Sequence, residues 1–322
     1  MPLVSVIMPS YNHERFISEA IESVLNQTFT DLELIIIDDA SKDSSKNIIK
    51  NYEEKDDRIY AIFHKKNKGI AKTMNEGLEE ACGKFIAPSA SDDVWVKDKL
   101  RKQLEVLNGN EDLAVWSEGL IIDAQSAPTG ETFTQKHGAS KKKKSGNIFE
   151  ELLKGNYICG QSIILKRENL KEIRYDERLK YLNDYKFMVN LAKKYKFYFI
   201  PEPLVMYRIH GRNAILSDRE GWTKDQIKIG EYFLQTYGDE ISDSIKSEIF
   251  LNISIGFSYI GERAKARQYV YYAIKSNLFK PLKLISLLHI RLTSTNDDGT
   301  IRNFLRCSYQ KYKSIRQRLT WK

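Results

Sequence analysis

The chain predicts an α/β fold, a mostly parallel sheet flanked by helices and followed by a helical C-terminal region. Three observations predict it. Short apolar runs of strand length alternate with segments of helical period up to about residue 100. Polar clusters close the first, second and fourth of these runs, as expected where parallel strands end together at one edge. Beyond about residue 215 the pattern is helical only. With 322 residues the chain is long enough for one large domain and an appendage.

Leu3 to Met8 is the first strand, ended by Pro9-Ser10-Tyr11-Asn12, and Phe16, Ile17, Ala20, Ile21 and Val24 recur at helical spacing after it. Leu32 to Ile37 is the second, closed by Asp38-Asp39-Ala40-Ser41, and a helix follows from about Ser44 to Glu54. Ile59 to Phe63 is the third. Asn67-Lys68-Gly69 opens a helix that ends near Cys82-Gly83, and Lys84 to Ala87 is the fourth strand, closed by Ser91-Asp92-Asp93 ahead of a helix from near Lys97. Gln135 to Gly146, with Lys141 to Lys144, is polar and basic and reads as a mobile loop. Gly160-Gln161-Ser162 introduces a strand from Ile163 to Lys166, and Asp184 precedes an amphipathic helix marked by Phe187, Val189, Leu191 and Ala192. Further helices are expected at Trp222 to Tyr237, Ser242 to Tyr259, Arg263 to Ser276 and Pro281 to Leu292.

Residues just past the strand ends of such a sheet converge on one crevice. No Gly-x-Gly-x-x-Gly follows the first strand and no Walker-type loop occurs, which argues against a dinucleotide dehydrogenase or a P-loop ATPase. Asp92 and Asp93, placed at that edge, suit a hard divalent cation held against phosphates. The bland reading of the same pair is a turn or a helix cap.

In this order, Val4 to Asn12, Leu34 to Ser41, Asn67 to Ala71 with Asn75-Glu76-Gly77, Gly83 to Ala87 and Ser91 to Trp95 resemble the donor half of family 2 glycosyltransferases of the GT-A fold. A weaker acceptor half follows in Gly160-Gln161-Ser162, Asn183-Asp184-Tyr185-Lys186 and Tyr207-Arg208-Ile209-His210-Gly211. The resemblance covers roughly residues 2 to 212. It implies a GT-A domain over 1–214, with donor half about 1–100 and acceptor half about 101–214, and a helical region over 215–322. It also implies an inverting, metal-dependent enzyme of the bacterial cell-surface polysaccharide type. Such an enzyme moves a sugar from a nucleoside diphosphate, UDP being expected, to a hydroxyl of a growing cell-surface glycan or lipid-linked oligosaccharide.

By that resemblance Asp92 ligates the cation, Mn²⁺ or Mg²⁺, and Asp184 is the general base, a role alternative to plain helix capping. Asp39 binds the nucleotide or else caps its turn. Pro9, Tyr11, Asn12 and Glu14 line the same pocket, and Asn67 and Gly69 shape a turn that approaches the nucleotide. His210 is a second metal ligand or a structural histidine, and the other four histidines show no metal-ligand spacing. Gly160, Gln161 and Ser162 belong to the acceptor pocket, with Trp95 as a sugar-stacking wall or ordinary core. Two departures stand out: Ala90 replaces the first acid of the common Asp-x-Asp-Asp, and Met74 replaces an arginine frequent in the family. Lys72 either compensates for that arginine in binding the nucleotide or is a solvated helix residue. Two alternatives to the main reading are a polyprenyl-phosphate sugar synthase and a glycan- or nucleotide-binding protein that kept the fold without turnover.

Cys82, Cys159 and Cys307 are odd in number and lack Cys-x-x-Cys, which suits a reducing compartment. With no leader-like segment and no apolar run approaching about 18 residues, a cytoplasmic protein is expected, with a peripheral place on the membrane as a further reading. The net charge of +8 is concentrated at the C-terminal end. Ile301 to Lys322 holds seven basic residues and no acidic one, interleaved with aromatic and aliphatic side chains. This pattern fits the inner face of an anionic membrane, or a helix packed on its own domain. Nucleic acid is the competing partner for a basic aromatic tail, but the sugar-transfer core favours a membrane-borne acceptor and no nucleic acid.

Overall fold

A computed structural model of the chain describes residues 1–139, 141–211 and 218–277. The expected helix Pro281 to Leu292 and the basic tail from Ile301 lie outside the described residues. The chain divides into a unit over Met1–Ser217 and a second that begins at Asp218.

The first unit starts with strictly alternating strands and helices. In chain order they are β1 (Val4–Ser10), α1 (Ile17–Leu25), β2 (Leu32–Asp38), α2 (Ser45–Glu53), β3 (Ile59–Phe63), α3 (Ile70–Glu80) and β4 (Phe85–Pro88). Leu34, Ile35, Ile36 and Ile37 are all fully buried, as a central strand covered on both faces requires. Each such side chain removed from water contributes about 1.5–3 kcal/mol.

The remainder of the unit comprises β5 (Val94–Trp95), α4 (Lys99–Leu107), β6 (Ala114–Ile122), β7 (Pro128–Thr132), α5 (Phe133–Lys136), α6 (Phe149–Leu153), β8 (Leu165–Lys166), α7 (Asn183–Lys194) and β9 (Phe197–Arg208). The first sheet runs β3-β2-β1-β4-β8, its first four strands parallel and β8 antiparallel. The chain moves outward from β1 through β2 to β3, then crosses back to place β4 on the other side of β1. That reversal creates a crevice beyond the strand ends, between β1 and β4. Register sharpens the point, since Ser10 lies opposite Asp38 while β4 stops at Pro88 opposite Ile7. Helix α3 packs on β1 and β2 at a distance only glycine permits: a Cβ on Gly77 would stand 2.4 Å from Ile7 Cγ2.

A second sheet, β5-β9-β6-β7, was not foreseen. Its parallel β6–β9 pair shifts register on both sides of Glu118, which faces Pro203, and the unpaired residues Pro201, Glu202 and Leu204 bulge the strand. The bulge leads into the end of β9, where Met206 lies opposite Val94 and Val205 opposite Trp95.

Two local expectations are corrected. Residues 141–146 of the basic stretch are anchored rather than loose. Lys143 O accepts from the Tyr157 hydroxyl, Lys144 O from the Trp116 indole, and Gly146 exchanges both backbone hydrogen bonds with Phe197. The strand expected from Ile163 is shortened to Leu165–Lys166, because Gly160–Ser162 forms a turn of 3₁₀-helix.

The second unit is helical: α8 (Arg219–Tyr237), α9 (Asp243–Tyr259) and α10 (Arg263–Ser276). Buried serines stitch α9 to α10, Ser247 Oγ donating to Ala273 O and Ser254 Oγ to Ala266 O, each at 2.9 Å. No helix among the described residues is long and apolar enough to cross a membrane.

Candidate active site

A cavity of about 570 Å³ opens at the switch point of the first sheet. Pro9, Tyr11, Asp39, Asn67, Gly69 and Asp92 line it from the first hundred residues, and Gln161 and Asp184 from the later part of the unit.

One side of the cavity is organised around Asp39. Its Oδ1 accepts from Lys68 N–H at 2.7 Å and lies 2.7 Å from His64 Nδ1, and its Oδ2 accepts from Gly69 N–H at 2.8 Å. His64 is held from its other nitrogen by Glu76, 2.9 Å away. Gly69 has φ +88°, a left-handed conformation that strains any side-chain-bearing residue, so this turn needs glycine there. Asp38 accepts from Ser41 N–H.

Asp92 and His210 are joined by sheet pairing. Strand β5 begins directly after Asp93 and pairs with the end of β9, which sets Asp92 beside the residues that follow Tyr207. The fully buried Arg208 locks this arrangement: its N–H donates to Asp93 Oδ1 at 2.8 Å and its Nε to Asp92 O at 2.7 Å. The remaining guanidinium nitrogens reach Asp123 O, Ser126 Oγ and Glu19 Oε2. His210 Nε2 then lies 3.1 Å from Asp92 Oδ2, and His13 Nε2 3.8 Å from the same oxygen. One donor atom from each of His13, Asp92 and His210 falls within 4.8 Å of the others. A carboxylate and two imidazoles in that compass fit a divalent cation.

Burial opposes ionisation of Asp92, but the hydrogen bond to His210 and the field of His13 hold its carboxyl below the usual range. Asp93 goes the other way: burial, reinforced by the neighbouring Asp92 charge, pushes its carboxyl well up. Burial also lowers His13, against the pull of Asp92. Ser10 and Asp93 both line the cavity, and Ser10 Oγ and Asp93 Oδ2 are buried without a hydrogen-bond partner. Leaving such atoms unpaired costs about 1–3 kcal/mol each, which favours a polar ligand in this space.

On the opposite wall, Asp184 sits in the first turn of α7, half-buried. Burial raises its pKa to about 6. Gly160 leaves room beside it, since a Cβ there would stand 4.0 Å from Asp184 Oδ2. Lys180, Tyr181 and Tyr207 complete this wall.

Several expected site residues are placed elsewhere. Asn12 and Glu14 brace two loops, Asn12 Oδ1 accepting from Lys42 N–H and Glu14 Oε2 from Ser44 N–H. Lys72 is exposed and lies 3.8 Å from Glu177, because the buried face of α3 is taken by Ala71, Met74, Asn75 and Leu78. Trp95 is core: it is 3 % exposed, with Lys99 Nζ 3.8 Å from its ring centre, and is no wall of the cavity. Ser162 is fully buried and donates to Cys159 O. Sequence reasoning missed His13 altogether. Its only signal was position, one residue past the polar cluster that ends β1.

A cavity at the switch point of a parallel sheet, with Asp92, His13 and His210 at one edge and the half-buried Asp184 at another, fits the class of glycosyltransferases that use nucleotide sugars. Residues 5–174 match the family model for glycosyl transferase family 2, and the chain belongs to that family. It is 36% identical over 220 residues to an uncharacterised glycosyltransferase of Methanocaldococcus jannaschii, covering 67% of this chain and 74% of that one. It is 33% identical over 219 residues to the putative teichuronic acid biosynthesis glycosyltransferase TuaG of Bacillus subtilis, covering 68% and 83%. Residues 1–349 of S. aureus TarS, solved with UDP-GlcNAc, superpose with TM-score 0.66 at 20% identity, covering 98% of this chain and 92% of that one. Against a longer TarS chain the coverage falls to 55% of that chain. The mannosyltransferase PcManGT of Pyrobaculum calidifontis, in complex with GDP-Man and Mn²⁺, superposes with TM-score 0.58 at 15% identity, covering 97% and 82%. At such identities the structural likeness is one of fold.

Proposed function

We propose that the chain transfers a sugar from a UDP-sugar, with inversion at the anomeric carbon, to a hydroxyl of a growing cell-surface glycan. The observation that carries this reading is that Asp92 and Asp184 line one cavity in opposite electrostatic states, Asp92 held ionised and Asp184 raised to about 6. The first suits a cation and phosphates, and the second suits a base that must take a proton near neutral pH. The UDP-GlcNAc bound by TarS and the teichuronic acid pathway named for TuaG support the donor and the acceptor class.

Pro9, Tyr11, Asp39, Asn67 and Gly69 hold the nucleoside, with the Lys68–Gly69 turn fixed by Asp39. Asp92 and His210 hold Mn²⁺ or Mg²⁺, which when bound supplies Lewis-acid stabilisation to the departing diphosphate. Asp184 takes the proton of the acceptor hydroxyl in the space left open by Gly160, while Gln161 and Tyr181 contact the acceptor. The basic tail is assigned to the inner face of an anionic membrane, where a lipid-linked acceptor would be met, and the boundary between catalytic and helical regions to residues 214–218.

Calorimetric titration with UDP, GDP and their sugars, with and without Mn²⁺, tests the reading. Metal-dependent binding of one UDP-sugar, with slow hydrolysis, is expected. Failure of every nucleotide to bind would refute it, and preference for GDP-sugars would move the donor to the other base.

A further inference from the structure

The cation site carries one ligand more than its position beside Asp92 calls for. His13 comes from the loop between β1 and α1, far in sequence from the other donors, yet four hydrogen bonds aim it at Asp92. Its N–H donates to Ser45 Oγ, and its carbonyl accepts the first two hydrogen bonds of the turn that opens α1, from Phe16 and Ile17 at 2.9 Å each. Its Nδ1 lies 2.8 Å from the Oγ of Ser91, itself buried. With Nδ1–H donating there, Nε2 is left as a bare lone pair facing Asp92 Oδ2. The His210 ring is fixed as firmly, lying edge-on to His13 with centroids 5.7 Å apart and backed by Phe16 at 4.8 Å.

Donor atoms about 2.0–2.2 Å from one ion stand roughly 3–4.4 Å from each other. The separations of 3.1 and 3.8 Å from Asp92 Oδ2 fall inside that range, and the widest of the three, within 4.8 Å, closes with a small side-chain shift. Magnesium prefers oxygen donors and keeps its waters, whereas imidazole suits zinc, copper, iron and nickel, and the affinity of a nitrogen-bearing site for first-row divalent ions rises from manganese towards copper. A single carboxylate is a poor holder of a hard cation without the ligand's phosphates. Two imidazoles and a carboxylate are a competent site without them.

We propose that His13 is the third protein ligand of this cation, with Asp92 and His210, and that the resulting two-imidazole, one-carboxylate site loads Mn²⁺ or a similar transition-series ion before the nucleotide arrives and discriminates against Mg²⁺. This rests on the metal-dependent reading given above. It makes the order of assembly metal first, nucleotide second, and assigns the choice of metal to a residue outside the Asp-Asp segment.

The test is metal binding by the full chain at pH 7.5 without nucleotide, read by the loss of the free Mn²⁺ signal in electron paramagnetic resonance and by the visible bands of Co²⁺. Wild type should bind one equivalent of either, at least tenfold more tightly than Mg²⁺ competes for it. His13→Ala should weaken nucleotide-free binding tenfold or more yet regain Mn²⁺ when UDP is added, because the phosphates restore ligands. Recovery with UDP also shows that the variant is folded, and Ser91→Ala, which removes only the partner of Nδ1, should weaken binding less. Wild type that takes up Mn²⁺ only with UDP would overturn the His13 proposal and leave the catalytic reading intact. Unchanged nucleotide-free binding in His13→Ala would overturn it equally. No Mn²⁺ uptake even with UDP would remove the metal from both.

Discussion

Replacing Asp184 with asparagine should make the protein more stable and, at the same time, inactive. The carboxyl has a pKa of about 6 in the folded chain against an unperturbed 3.8, because burial disfavours its charged form. A gap of about two units corresponds to roughly 3 kcal/mol, and the half-buried position of the group argues for about 1–3 kcal/mol. The sign follows from proton binding. Between pH 3.8 and about 6 the folded chain holds the proton more tightly than the unfolded chain, so stability falls as pH rises through that window. Below it the ionisation penalty is absent, and above it the penalty is complete. The side-chain amide of the variant would be neutral at every pH. The gain of Asp184→Asn over wild type should therefore be near zero at pH 4 and reach its plateau by pH 7, where the melting temperature should rise by several degrees. Thermal melts followed by circular dichroism from pH 4 to 8 measure it directly. In parallel, wild-type transfer should climb with pH through about 6 and Asp184→Asn should lose about 10²- to 10⁴-fold in kcat with donor affinity kept. A difference in stability that is flat with pH, or a variant less stable than wild type at pH 8, would refute the reasoning.

Gly77→Ala drives a Cβ to 2.4 Å from Ile7 and should cost about 1–3 kcal/mol in urea unfolding, with the Asn67–Gly69 turn disturbed along with α3. Arg208→Ala unpairs the Asp92 and Asp123 carbonyls and empties a buried site; at least about 2 kcal/mol of destabilisation is expected, together with weaker Mn²⁺ binding through the displaced Asp92, measured by calorimetry. Trp95→Phe should lower the melting temperature yet leave the KM for acceptor unchanged, since the ring is core. Lys72→Ala should leave UDP affinity within twofold, as the side chain is exposed and turned toward Glu177.

What could be read from the sequence was what is local. The four parallel strands have continuous apolar runs, and the residues that end β1, β2 and β4 were legible as site-forming from strand position alone. The second sheet escaped because β6 carries Ser117 and Glu118 in its middle. Both are buried, and Glu118 is satisfied by Thr134 and by the Gly119 N–H, so polarity there marks an internal hydrogen-bond network and not a surface. Trp95 had two readings, sugar wall or core, which nearness in sequence to Asp92 could not separate; β5 is only two residues long and turns this ring into the core. His13 was invisible because its meaning depends on Ser91 and on Asp92, about eighty residues on, and on His210 beyond β9.

Asp39 illustrates how far a motif can be read and where accounting must take over. An ionised carboxylate offers about four acceptor positions. Three are taken by Lys68 N–H, Gly69 N–H and His64 Nδ1. At most one remains for any ligand, so the chief structural work of the residue is the turn it builds, whose Gly69 and Asn67 line the cavity. The buried His64 is in turn positioned by Glu76, and Glu76 by Lys68 at 3.0 Å, closing a ring that returns to the same turn. Burial pushes the Glu76 carboxyl up, yet the hydrogen bonds from Lys68 and His64 outweigh it and hold the group ionised. The Asp-Asp after β2 and the Asn-Lys-Gly after β3 are therefore one device with a shared hydrogen-bond network. The ring holds the turn as a unit, with Asp39 as the member that both carries the turn and lines the cavity.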